Sequence, residues 1–373
     1  MAVETKPVKG IRARRAFIEL PYRLHAGTPW VPPLRLERWL FLSPKTNPYF
    51  KHGEAQLFNA YQNGRVVGRI SAHIDHAYND THDAKQGWFG FIEFEDDPEI
   101  VRSLLEAARE WVSKRGMETL IGPADFAVND ESGIVIDGHD VAPMVRQPWH
   151  PRYYQQRCED AGLRKAVDLN MWLVKLEDAD GMRPILRRLS DEAEPKHGVT
   201  LRRMSRRRLR KDLDLFAEIY NEAWRNNWGF VPYGKADLDA YALDLQLVFD
   251  KRWFMIAERG GEAIGLAITI PDINQALVKM KGRLLPFGLF HYFRRNRYID
   301  QVRIGFLGVK REHQHTGAAA RLYVEHFDMS AAHKRVKRGE GGWVLETNSA
   351  MNKGMQALGA RVNKTYRMYE SDL

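Results

Sequence analysis

The sequence predicts an α/β protein made of two copies of one arrangement, and three observations carry that prediction. Strand-like and helix-like patterns alternate through the second half of the chain, short signature segments recur between the halves, and a buried strand runs through a polar turn into an Ala-rich helix at 307–322. At 373 residues the chain exceeds one ordinary core, and 44% hydrophobic with 11% aromatic content is that of folded domains.

The elements of the second half follow in order. Residues 200–204 read as a strand, and 209–224 as a helix because Leu213, Phe216, Ile219, Tyr220 and Ala223 recur near a 3.6-residue period. Trp228-Gly229-Phe230-Val231-Pro232 is a break, and a second helix covers 237–249. Stretches 253–258 and 262–270 form a hairpin about Gly260-Gly261, a turn that needs positive φ. A strand at 302–309, a helix at 317–333, a strand at 343–347, a helix at 349–358 and a closing strand near 364–369 complete the half.

The first half repeats much of this. The segment from Ala60 to Gly68 matches that from Ala257 to Gly265, and Ala161-Gly162-Leu163-Arg164 meets Leu358-Gly359-Ala360-Arg361 at the same offset. Between these anchors lie a strand at 88–94, a helix at 98–114 and a strand at 118–121. Asp, Glu, Gly and Pro collect between 179 and 197, so the domains are expected at 1–185 and 186–373.

The turn after the 302–309 strand carries the most chemistry. Its sequence, Gln314-His315-Thr316-Gly317-Ala318-Ala319, opens the Ala-rich helix. Unpartnered N–H groups at a helix start, with the positive end of the dipole, attract anions. Small residues at Gly317, Ala318 and Ala319 let a diphosphate approach the main chain.

Gln-x-x-Gly-x-Ala after a hydrophobic strand resembles the acyl-CoA signature of the GNAT (N-acetyltransferase) superfamily, and the order β-α-α-β-β-β-α-β-α-β is similar to that of its fold. The resemblance implies two tandem acyl-CoA N-acyltransferase domains, each a mixed central sheet with helices on both faces. It implies acetyl-CoA or a longer acyl-CoA as substrate, with pantetheine along Leu307, Gly308 and Val309 and diphosphate over Gln314, His315, Thr316, Gly317, Ala318 and Ala319. A main-chain N–H near Leu307 to Val309 would meet the thioester carbonyl. Asn348, with Gly359 eleven residues on, fits a second family feature, a contact to the pantetheine arm. Asn348 also suits the N-cap of the helix beginning at Ser349.

The chain departs from the family where a Tyr often follows that Asn by seven residues and protonates the leaving thiolate, for Met355 stands there. A thioether donates no proton, which leaves Tyr366, Tyr369 or water for the step. Glu346 and His313 are the candidate bases for the amine. The first half has Glu93-Phe94-Glu95-Asp96-Asp97-Pro98 at the place of the phosphate turn. Like charges ~4 Å apart repel by about 4 kcal/mol at an effective dielectric of 20. That half is expected to lack a CoA loop.

On the acceptor side, Trp224, Asn227, Trp228 and Phe230 connect the first two helices of the second half, where the GNAT fold covers the acceptor mouth. An insertion at 275–297 brackets Leu284, Leu285, Phe287, Leu289, Phe290, Tyr292 and Phe293 with Lys279, Lys281, Arg283, Arg294, Arg295 and Arg297. Its composition reads either as an interfacial segment or as a loop packed on the first domain. The interfacial reading makes the acceptor a long-chain lipid amine such as a sphingoid base, and the chain then resembles bacterial tandem GNAT proteins of ceramide-synthase type.

Bulk properties narrow the classes. A single cysteine, Cys158, excludes an intramolecular disulfide and a thiolate cluster. The 13 histidines show no H-E-x-x-H or Cys/His spacing, so no metal is expected. The start lacks an apolar signal region, and no run reaches the roughly 20 apolar residues needed to span a bilayer. The expected place is the cytoplasm, with peripheral contact at the inner membrane face. A net charge of +9 favours anionic partners, CoA or an anionic membrane among them. The Arg-rich run 202–211 reads as a solvated face or a phosphate contact, and without interleaved aromatics it disfavours nucleic acid. Two alternatives stay open: a non-catalytic acyl-CoA-binding or scaffold protein, and an aminoacyl-tRNA-dependent transferase.

Overall fold

The computed structural model describes residues 2–175, 182–225, 227–333 and 335–373. Residues 176–181, which overlap the start of the 179–197 stretch where the sequence puts the domain boundary, lie outside them. Strands are β1 Glu4–Pro7, β2 Gly53–Gln62, β3 Arg65–Asp75, β4 Gln86–Phe94, β5 Thr119–Gly122, β6 Ile134–Asp137, β7 Arg164–Lys175, β8 Val199–Arg203, β9 Phe254–Arg259, β10 Glu262–Pro271, β11 Gln301–Val309, β12 Arg338–Leu345 and β13 Arg361–Asp372.

The chain folds as two compact units. Unit 1 holds Met1–Leu169, Asn274–Arg295 and Lys364–Leu373; unit 2 holds Asn170–Ile273 and Asn296–Asn363. In unit 1 the strands run in the order β1-β2-β3-β4-β5, antiparallel except for the parallel pair β4 and β5. The end of β13 then pairs antiparallel with β5, Tyr369 opposite Gly122 and Asp372 opposite Thr119. Unit 2 repeats the order as β8-β9-β10-β11-β12, with β11 and β12 the parallel pair. From the other half of the chain it takes the end of β7, where Met171 packs so closely that a Cβ on Gly342 would lie 2.0 Å from its methyl carbon.

Both faces of the unit 2 sheet are covered, because β10 alternates. Leu266 and Ile268 join the core of helices Leu209–Ala223 and Lys235–Val248, while Ala267 joins that of helix Ala318–Ala332. In unit 1 the helix Pro98–Ser113 starts with proline at its first position and Asp97 accepting the Glu99 N–H at 2.9 Å. Its Ile100, Val101, Leu104, Leu105, Ala108 and Val112 form the buried stripe.

Most boundaries agree with the sequence reading to within a few residues. The strand expected at 343–347 begins five residues earlier and ends at Leu345. Its first half, Arg338-Gly339-Glu340-Gly341, has little β propensity and is held by pairing with β11. Helices Gly10–Leu24 and Arg35–Phe41 complete the first copy. Part of the Arg-rich run is paired with acids in unit 2, Arg202 with Asp212 and Glu258, Arg203 with Glu325, Arg210 with Asp214 and Asp239, while Arg206, Arg207, Arg208 and Lys211 are exposed.

Helix Pro184–His197 lies along helix Ala318–Ala332, with Arg187 reaching both Asp328 oxygens at 2.7 and 2.6 Å. Gly317 makes this approach possible: its φ is +77°, and a Cβ there would stand 2.7 Å from the Leu189 carbonyl oxygen.

In unit 1 the parallel pairing of β4 with β5 stops at Trp88 opposite Ile121, and the chain fills the gap beyond with its own segment. The Ala124 N–H donates to the Phe89 carbonyl at 2.9 Å, and the Phe91 N–H to Asp125 Oδ1 at 2.7 Å. Of the acids at the following turn, Glu95 holds Arg23 and Arg65, Asp96 holds Arg157, and Asp97 caps the helix. Glu93 is buried, 2.6 Å from His25 Nε2, and accepts the Tyr154 hydroxyl at 2.9 Å. Burial alone would raise its carboxyl, but His25 and then Arg69 outweigh that and hold it down at about 2.

Two outcomes are expected. A depressed folded-state carboxyl stabilises above its ordinary range and ceases to do so as the pH falls, so urea stability should drop by about 3 kcal/mol between about pH 5 and pH 2. Glu93→Gln should flatten that pH dependence and lower stability at pH 7 by about 3–5 kcal/mol; an unchanged profile removes Glu93 from the account. Gly317→Ala should cost about 2–3 kcal/mol, read by the same titration, because the left-handed backbone and the Leu189 carbonyl both oppose a methyl group.

Candidate functional site

The candidate site lies in unit 2, where its parallel strands separate. Pairing runs from Gln301 opposite Arg338 to Ile304 opposite Gly341, after which β11 continues to Val309 and β12 to Leu345 with no further register between them. Against β10, Ile268 pairs with Phe306 and Thr269 with Ile304, so Gly305 is the extra residue of a bulge. A bulge bends its strand, and this one falls where β11 leaves its neighbour. The backbone groups facing the notch require partners other than a strand.

An aromatic wall stands on one side of β11. Phe306 meets Phe216 at 4.8 Å between ring centroids and Tyr220 and Tyr241 at 6.0 Å; Trp224 stacks on Tyr220 at 5.1 Å. The Trp224 ring lies so close to β11 that a Cβ on Gly308 would stand 2.2 Å from it, which explains glycine there. Phe230 is buried against Tyr220 at 5.5 Å, whereas Asn227 and Trp228 are half-buried. Trp224, backed by Tyr220 and Phe230, thus stands on one flank of the notch.

Beyond Val309 the chain is anchored before it turns. Lys310, 5% exposed, directs its Nζ to Glu218 at 2.6 Å and Glu262 at 2.8 Å. Burial lowers its ammonium, but the two carboxylates more than compensate and bring it up to about 12. A 3-10 turn, Arg311–Thr316, follows, closed by the Thr316 hydroxyl donating to the His313 carbonyl at 2.6 Å. Gly317 then takes the N-cap position of helix Ala318–Ala332, where it offers no side chain to the first-turn amides. Gln314 and His315 are exposed, Gly317 and Ala319 half-buried, Thr316 and Ala318 buried. A 15-residue helix with an uncapped start is the local chemistry an anion needs.

Leu307, Gly308 and Val309 lie on β11 past the separation point. Asn348 accepts the Met351 N–H at 3.1 Å, the capping role expected of it. His313 and Glu346 follow the C-terminal ends of β11 and β12, so both stand at the same edge of the sheet. Glu346 is exposed in the turn after β12 rather than on a strand. Tyr366 belongs to unit 1, is 1% exposed, and donates its hydroxyl to the Pro148 carbonyl at 3.1 Å. Glu262, Glu312 and His313 have ligand atoms within 4.8 Å of one another, but Lys310 already supplies the counter-charge to Glu262.

Sequence reasoning missed a buried polar group directly beneath the separation point. Arg303 and Glu340 are register partners one step before the last pair; both are buried, and Glu340 accepts the Asn363 amide at 2.8 Å. The available signal was a lone acid among glycines, Gly339-Glu340-Gly341-Gly342, where missing side chains leave room for a carboxylate. Phe306 and Lys310 were likewise unread, their roles depending on helix Leu209–Ala223.

No family model matches the chain. It is 38% identical over 376 residues to a bacterial ceramide synthase of Caulobacter vibrioides (strain NA1000 / CB15N), covering 98% of this chain and 97% of that protein. It is 32% identical to Protein YghO of Escherichia coli (strain K12), over 96% of this chain and 93% of that one. Among solved structures, a tandem GNAT protein from the clavulanic acid biosynthesis pathway superposes with a TM-score of 0.58 at 14% identity, over 99% of this chain and 98% of that one. A GCN5-related N-acetyltransferase from Sphaerobacter thermophilus gives 0.54 at 15% identity, over 99% and 95%. These structures show that the chain has the tandem GNAT fold, and the curated relatives match it over nearly its whole length: the chain belongs to the family of the bacterial ceramide synthase.

Proposed function

We propose that unit 2 binds an acyl-CoA in the notch between β11 and β12 and transfers its acyl group to the primary amine of a long-chain lipid such as a sphingoid base. The observation that carries this reading is the parallel pair separating at the Gly305 bulge and leading, through the Lys310 anchor, to the uncapped helix at Ala318. Pantetheine lies along Leu307, Gly308 and Val309, and the diphosphate sits over Gln314 to Ala319, taking the amides at the helix start. Arg321, one turn into the helix and only loosely tied to Glu194 at 3.4 Å, supplies a nearby cation. In unit 1 the equivalent notch is filled by the chain and the equivalent turn carries paired acids, which supports a structural role for that copy.

The amine nitrogen attacks the thioester carbonyl carbon, the oxyanion takes a main-chain N–H of β11 beyond the bulge, and the C–S bond breaks. A thiol with an ordinary pKa of ~8.5 leaves as thiolate without a dedicated acid, and the Tyr366 hydroxyl is committed to Pro148. Glu346, at the mouth, accepts the amine proton directly or through water; His313 is the alternative at the same edge. The lipid acceptor draws on the relative's name, ceramide synthase, and on the apolar insertion. Peripheral contact with an anionic membrane follows from the same reading. No helix among the described residues is long and apolar enough to cross a membrane.

Calorimetric titration should show binding of acetyl-CoA or palmitoyl-CoA, the tighter of the two giving the chain length. Ala319→Glu separates binding from folding: a carboxylate in the first turn stabilises the helix by ~0.3–1 kcal/mol yet repels a diphosphate. Affinity should fall at least ~tenfold with stability unchanged or raised; undiminished affinity would remove the diphosphate from this turn. Glu346→Gln should lower kcat/KM by ~10²–10⁴ and abolish its acidic limb, with His313→Asn near normal. The reverse pattern transfers the role to His313.

A further inference from the structure

The exposed apolar side chains of unit 1 concentrate in one place. In the segment Asn274–Arg295, Leu285 is 66%, Phe287 75%, Phe290 50% and Phe293 75% exposed. Phe287 precedes helix Gly288–Phe293, and Phe290 and Phe293, three residues apart, share its outward face. Lys279, Lys281, Arg283 and Arg294 are exposed around them, Arg294 lying over the Phe290 ring at 4.2 Å, and the segment contains no Asp or Glu. A core would bury these side chains; none of the four is covered within the chain.

The segment is held firmly at its base. The Arg35 N–H donates to the Gly282 carbonyl at 3.1 Å, Asn274 donates to the Pro143 carbonyl at 3.0 Å, and Gly282 is seated so tightly that a Cβ would strike Tyr22 at 2.4 Å. On the helix that begins at Arg35, Leu36 and Leu40 are 60% and 47% exposed and four residues apart. Tyr22 and Arg35 also line a groove of about 830 Å³; Glu19 engages Arg35 there and Glu95 engages Arg23 and Arg65, while Lys9 and Arg12 are exposed on its walls. Apolar tips and a collar of exposed cations in a segment without acids together match a bilayer with anionic headgroups.

We propose that this face of unit 1 docks on an anionic phospholipid bilayer, with Leu285, Phe287, Phe290 and Phe293 entering the headgroup boundary while Lys279, Lys281, Arg283 and Arg294 take lipid phosphates. This deepens the lipid-acceptor reading by bringing the enzyme to the phase that holds such an amine, but it concerns a surface outside unit 2.

Co-sedimentation of the full-length protein with phospholipid vesicles tests it without acyl-CoA or turnover. Vesicles with about a third anionic lipid should bind at least ~tenfold more protein than neutral phosphatidylcholine vesicles at ~0.1 M salt, with most of the difference lost at ~1 M. Phe287→Ser with Phe293→Ser should reduce partition at least ~tenfold, and Lys281→Glu with Arg283→Glu should remove the preference for anionic lipid. Acylation of a short, water-soluble amine should be unchanged in both variants. Equal binding to neutral vesicles, or serine variants that bind as the parent does, would overturn the proposal. So would a concentration-dependent dimer that the serine pair dissolves, since the face would then belong to a second copy. A vesicle-binding protein that transfers no acyl group would leave docking standing and remove the catalytic reading alone.

Discussion

The candidate site rests on the interruption of one parallel strand pair. Backbone N–H and C=O groups in a sheet are satisfied by the neighbouring strand, so strands that part expose groups that something else must meet. In unit 2 the parting follows Ile304 and Gly341, assisted by the Gly305 bulge, and the opening leads toward a helix start with free amides. Donors along a strand and donors at a helix N-terminus suit a ligand that is an amide-bearing arm at one end and a diphosphate at the other. The two ends are tied together by Lys310, whose ammonium between Glu218 and Glu262 fixes where β11 gives way to the turn.

The same interruption occurs in unit 1 and has the opposite consequence. There β4 and β5 part after Trp88 and Ile121, but the segment from Ala124 to Asp125 supplies the missing hydrogen bonds from within. At the following turn Glu95 and Asp96 neutralise Arg23, Arg65 and Arg157, occupying with the chain's own carboxylates the arginines that could have held a phosphate. The buried His25, Glu93 and Tyr154 cluster adds a polar network to the core of unit 1.

Much of the architecture was legible because it is local. Helix Leu209–Ala223 follows from the spacing of its apolar residues, the Gly260-Gly261 hairpin from its need for positive φ, and the cap at Asn348 from a side chain that reaches its own helix. The anion-ready turn was legible for the same reason, since small residues and a helix start lie together in sequence. The early start of β12 was not, because Arg338-Gly339-Glu340-Gly341 becomes a strand only through its pairing with Gln301–Ile304. The Arg-rich run was ambiguous because its partners, Asp212, Glu258, Glu325 and Asp239, lie up to a hundred residues and more away.

By itself, then, the sequence determined the succession of strands and helices, the duplication, and the turn at Gln314 to Ala319, all properties of residues within one or two turns of each other. Tertiary structure decided the rest. It made Gly317 a seat for the Leu189 carbonyl as well as a cap, pressed Trp224 against Gly308, gave the end of β13 to unit 1 and the end of β7 to unit 2, and left Phe287 and Phe293 uncovered. Each of these is a meeting of residues far apart in the chain, and hydrophobic periodicity specifies which face of an element is buried without naming what buries it.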